Sequence, residues 1–203
     1  MRHENSRELF KYWNALRGER PAPERSEIEP GEIRTILGDT FILEVSPKMR
    51  TVAFRLAGTR LCAAYGRELK GLGILALWSE DDNFDLARTI NLVYRDSVPM
   101  LLSYSARSQG GRFVEYESIL LPLMPAPDGN SRILGVASPK KPPYWLGSDA
   151  LVCNHLRSAR RIEPRTAQAH RPPALDPEKG KIAKRTFGHL TVLDGGKSIE
   201  ASK

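Results

Sequence analysis

Hydrophobic positions along the chain follow a helical period first, then a period of two, then a helical period again, and finally a period of two. In "SRELFKYWNALRG", Leu9, Trp13 and Leu16 recur at helical spacing, with Ser6 placed to cap the first turn and Gly18 to end the last. A second short helix is predicted from Pro30, with Ile33, Ile36 and Leu37 on one side and Gly38 closing it. "TFILEV" (40 to 45) and "TVAFRL" (51 to 56) then read as strands of a hairpin joined through Pro47. The stretch "AGTRLCAAYGRELKGLGILALW" breaks this pattern with four glycines and short helix-like pieces, and "SEDDNFDLARTINLVYRDS" restores a long helix with a stripe of Leu86, Ile90 and Val93. Beyond Pro99, "MLLSYSARS", "RFVEYESILLPLM" and "RILGVAS" read as three strands with short connections.

Strands in two runs around one helical block, with short connections after it, predict an antiparallel α+β domain on five strands rather than a parallel βαβ sheet. The expected organisation is a helical extension over 1–38, the strand-and-helix domain over 39–138, and a largely flexible tail over 139–203. Within that tail, 150–162 reads as a short basic helix carrying Leu151, Val152, His155 and Leu156, and 187–196, "FGHLTVLDGG", as strand-like.

Charge sharpens that division. The formal net charge is +7, yet residues 1–138 hold 18 Lys and Arg against 18 Asp and Glu, while residues 139–203 hold 13 against 6. The excess basicity therefore belongs to the tail, and the core is neutral. No run approaches the roughly 20 apolar residues of a membrane span, and the charged start "MRHENSRELFKYW" lacks a secretory pattern, so a cytoplasmic protein is expected. Cys62 and Cys153 have neither CxxC spacing nor a histidine cluster, which predicts free thiols and no metal site.

The segments "ELFKYWNALRGERPAPERSEIEPGEI", "FRLAGTRLCAAYGRELKG" and "LALW" resemble a family of bacterial PAS-domain proteins with a helical N-terminal extension, over about residues 6–138. The resemblance implies a PAS-like sheet, a signalling context, and short helices that wall a cavity against the sheet. Gly58, Gly66, Gly71 and Gly73 are then the corners of that wall. The expected lining is Leu56, Leu61, Cys62, Tyr65, Leu77, Trp78, Ile90, Tyr94, Leu102, Tyr104, Tyr116 and Val136. Among these Cys62, Tyr65, Trp78, Tyr94, Tyr104 and Tyr116 are the candidate ligand-binding residues, with Tyr65, Tyr94 and Tyr104 each bringing a hydroxyl that wants a partner if buried and Cys62 reading as a small buried thiol.

The cofactor stays unknown. Histidine-ligated haem is disfavoured because His3, His155, His170 and His189 fall outside the predicted core strands and helices, and the long helix lacks the cysteine of a photoactive flavin domain. No catalytic constellation stands out, so a non-enzymatic regulator is expected, one that meets a protein partner, forms a homodimer, or senses a small ligand. The candidate interaction residues are Leu9, Trp13 and Leu16 on the first helix and Phe187, Leu190 and Val192 in the tail; the helix must bury its stripe on the domain or on another chain. The alternative is a nucleic-acid-associated regulator using the basic tail, which has little of the aromatic interleaving such binding favours.

Overall fold

The computed structural model describes residues 1–125 and 129–163, together with residues 186–187 and 190–191. Met1–Thr166 form one compact unit and Ala167–Lys203 a second.

In the first unit, strands β1 (Thr40–Ser46), β2 (Thr51–Ala57), β3 (Met100–Ser108), β4 (Phe113–Pro122), β5 (Ser131–Pro139) and β6 (Leu151–Arg161) form one sheet in the order β2-β1-β5-β4-β3-β6. Every pairing in it is antiparallel. The α+β expectation holds, with a sixth strand beyond the five expected. Strand alternation divides the core: Phe41, Leu43 and Val45 of β1 enter one cluster, while Ile42 between them enters the other. The central strands β4 and β5 are therefore buried along most of their length, as strands covered on both faces must be.

One face carries helices α2 (Thr59–Ala64) and α3 (Asn83–Asp96) and the 3-10 turn Ile74–Leu77. Leu86, Ile90 and Val93 of α3 pack there with Leu102, Tyr104 and Leu120. The other face carries α1 (Glu4–Arg17), where Leu9 and Trp13 are fully buried among Ile42, Leu101, Ile119, Leu121 and Leu134. Trp13 Nε1–H donates to the Pro122 carbonyl at 2.7 Å, and the Arg17 guanidinium lies 5.5 Å from the Trp13 ring centre. Leu9 and Trp13, expected as partner contacts, thus cover the chain's own sheet, and Leu16 packs beside them partly buried. Deleting a buried indole of this kind costs about 3–5 kcal/mol.

Three local expectations need correction. The N-cap of α1 is His3, whose Nδ1 accepts from the Asn5 amide at 3.1 Å, while Ser6 sits one turn inside and is fully buried. The short helix expected from Pro30 to Gly38 is instead two 3-10 turns, Pro30–Ile33 and Leu37–Asp39, which follow the sheet closely enough to bury Ile33 and Ile36. Residues 150–162 are a strand, not a helix. The Arg, Ala and Leu content favours a helix locally, yet the bare edge of β3 offers a full set of backbone donors and acceptors, and pairing with it buries Leu151 and Asn154. That part of the expected flexible tail therefore belongs to the sheet.

In the second unit, Thr186–Phe187 (β7) and Leu190–Thr191 (β8) pair antiparallel, Phe187 opposite Leu190. Val192 lies outside the described residues.

Candidate functional site

The turn-rich stretch that follows β2 builds the wall of the interior. Gly58 precedes α2 at a backbone contact: its N–H donates to the Thr40 carbonyl at 2.8 Å, and a Cβ there would overlap the carbonyl oxygens of Leu37 and Gly38. Glycine is needed for this close approach, not for an unusual dihedral, since its φ is −70°. Gly66 differs; its φ of +62° reverses the chain after α2 and leaves Tyr65 pointing inward from the helix end.

Tyr65 is buried, and its hydroxyl meets Asn154 of β6, donating to Oδ1 at 3.0 Å and accepting from Nδ2 at 2.8 Å. Trp78 and Tyr104 lie beside it with ring centres 4.8 Å apart, and Tyr104 stacks on Tyr116 at 5.4 Å. Burial pushes the Tyr65 phenol up to about 12 despite the Asn154 hydrogen bond. Burial also raises the Tyr104 and Tyr116 phenols well above their ordinary value, with the neighbouring phenols adding to it. All three are neutral hydrogen-bonding groups at physiological pH.

Tyr65, Trp78, Tyr104 and Asn154 line an interior cavity of about 30 Å³ together with Phe41, Phe54, Leu102 and Leu120. A water needs roughly 10–15 Å³ of such space, whereas organic-ligand sites run from about 300 to 1,000 Å³. The aromatic side chains fill this interior and leave room for water alone.

The remaining candidates lie elsewhere. Tyr116 forms the back of an outer cleft of about 360 Å³ between the start of α1, α2 and residues 137–147, where Arg60 and Asp39 pair at 2.9 Å and Asn5 Nδ2 donates to Asp39 at 3.0 Å. Tyr94 lines a groove outside α3, and its hydroxyl accepts from Arg95 Nε at 2.8 Å. Cys62 is half-buried on α2, its Sγ 3.6 Å from Glu68 Oε1, and burial with the nearby carboxylate raises its thiol, which disfavours the reactive thiolate. Leu56 is 44% exposed and Val136 packs in the α1-side cluster, so neither lines the interior. His155, expected outside the core, is on β6 opposite Ser105, and the cavity lining does not include it. Asn154 is the residue that sequence reasoning missed; only a strand assignment for 151–161 would have turned it inward toward Tyr65.

The outer edge of β6 is partly occupied. Ser79 N–H donates to the Asn154 carbonyl at 3.0 Å, and Leu156 N–H donates to Asp82 Oδ2 at 2.9 Å. Residues 157–161 run on past these contacts, all exposed, and Arg157, Arg160 and Arg161 have no carboxylate partner among the described residues. Among those residues no group of three or more His, Cys, Asp or Glu could hold a metal ion, and no helix is long and apolar enough to cross a membrane.

An antiparallel sheet walled on one face by short helices and one longer helix, around an aromatic interior, is a PAS-like α+β domain. The chain belongs to the PAS-domain family, whose model matches residues 1–138, and its context is sensing and signal transduction. Among solved structures, it is similar to a sensory box histidine kinase/response regulator from Burkholderia thailandensis E264, at 14% identity with a TM-score of 0.38, over 55% of this chain and 85% of that one. No curated protein matches.

Proposed function

We propose that this chain is a non-enzymatic signalling regulator that works by contact with another protein, made at the open edge of β6. The observation that carries this reading is the arginine-bearing backbone of residues 157–161, beside which no other strand of the described residues is paired except β3, continuing a sheet whose two faces carry the chain's own helices. With Leu9 and Trp13 buried at home and the interior filled, a strand edge is the surface left with unpaired backbone groups, and adding a strand is the established way to use one.

The reading is tested by affinity capture from the source cell with wild-type protein and with a triple variant, Arg157→Glu, Arg160→Glu and Arg161→Glu. A nuclease-resistant protein partner captured by wild type and lost by the variant is the expected result. Retention of that partner by the variant overturns the edge as the contact. Capture of nucleic acid alone, with affinity falling steeply as salt rises, overturns the protein-contact reading in favour of the basic-tail alternative.

A further inference from the structure

A roomier concavity than the interior lies outside it, a groove of about 600 Å³ between the β1–β2 hairpin, the glycine turn at 71–73 and the C-terminal half of α3. It shares no residue with the interior cavity. Val45 and Ile90, at 3% and 2% exposure, make its floor, Val52, Ala53 and Ala87 continue it half-buried, and Leu75 stands at one wall.

The rim has one sign of charge. Arg50 and Arg95 both line the groove, and among the described residues no Asp or Glu does. Arg95 is held in place: its Nε–H donates to the Tyr94 hydroxyl at 2.8 Å and its guanidinium lies 5.5 Å from that ring centre. Its remaining N–H groups have no carboxylate among the described residues. Arg95 also offsets the negative end of α3, in whose last turn it sits, so Arg50 supplies the uncompensated charge from the hairpin opposite. Arg50 has φ of +54° at the hairpin turn, after the exposed Pro47, Lys48 and Met49.

An apolar trough with two guanidiniums above it matches a ligand with an apolar body and one anionic end, and its volume falls in the range of small-molecule sites. We infer that the groove between the β1–β2 hairpin and α3 binds an amphipathic organic carboxylate, its hydrocarbon body on Val45, Val52, Ala87 and Ile90 and its carboxylate between Arg50 and Arg95. Such a ligand would tie the hairpin to α3, two elements that no hydrogen bond or ion pair of the described residues joins directly.

The test uses decanoate and, as the uncharged control, decanol, added to full-length protein and followed by amide NMR below the micelle concentration. Decanoate is expected to shift Val52, Ala53, Ala87, Asn91 and Tyr94 saturably, with decanol at least about ten-fold weaker, and the double variant Arg50→Gln, Arg95→Gln weakening decanoate by at least about ten-fold. Ala87→Trp, which fills the trough, should abolish the response; should that variant not fold, the arginine pair still decides the matter. Equal response to acid and alcohol, unchanged affinity in the arginine variant, shifts centred on Tyr65 and Trp78, or no saturable shift at all would each overturn the site.

Discussion

Tyr65 and Asn154 meet through a hydroxyl and an amide that burial leaves dependent on each other, 89 positions apart in sequence. Replacing Tyr65 by Phe keeps the ring's packing but strands the Asn154 amide, which should cost about 1–3 kcal/mol in urea denaturation. Combining it with Asn154→Leu should recover part of that loss, since no polar group is then left unpaired; equal destabilisation by single and double variants would show that the pair is not what holds β6 to the interior. That the aromatic side chains at 65, 78 and 104 face the interior was legible only through the PAS resemblance, which implied short helices walling a cavity against the sheet. Their partner was not legible, because Asn154 faces inward only once residues 151–161 are a strand. Gly58 was legible as a glycine needed at a corner, but the need is a backbone approach to residues 37 and 38 that local pattern does not encode.

At the scale of elements, the start of α1 is docked by one carboxylate. Buried Glu117 of β4 accepts from the backbone N–H of Arg2 at 3.0 and 3.2 Å and of His3 at 2.9 Å. Burial works to raise this carboxyl, but the hydrogen bonds from the two backbone amides outweigh it, and it sits below its ordinary value. A folded value lower than the unfolded one contributes stability above the unfolded pKa, about 4.3 for a glutamate, and that contribution disappears as pH falls through the folded value. Hydrogen exchange in the first turn of α1 should therefore accelerate, relative to the sheet, as pH drops below about 4. Glu117→Gln should remove that pH dependence and leave the turn looser at neutral pH. The helical stripe of α1 was plain from Leu9, Trp13 and Leu16, whereas its destination was not: an amphipathic stripe reads the same whether its cover is this sheet or another chain.

For the whole molecule, the family match ends at residue 138 while the sheet continues through Arg161. A fragment of residues 1–138 should unfold at lower urea than one of residues 1–163, because it exposes the β3 edge and leaves Tyr65 without Asn154. It should also associate more readily as the bare edge pairs with its copies. Matching midpoints for the two fragments, with both monomeric in sedimentation, would mean that β6 adds nothing to the domain.

Periodicity and turn residues by themselves determined the two longer helices α1 and α3, the five strands through residue 138, and the antiparallel α+β class, because each of those follows from short-range pattern and connection length. Three things were decided only in three dimensions. The edge of β3 overrode the helical preference of 150–162, since unpaired backbone groups there outweigh a propensity of a few tenths of a kcal/mol per residue. The face of the sheet claimed α1, since both faces of a central apolar sheet must be covered. Aromatic volume closed the interior to about 30 Å³ and left the roomier groove outside, between hairpin and α3, because packing depends on how side chains from distant segments fill a common space.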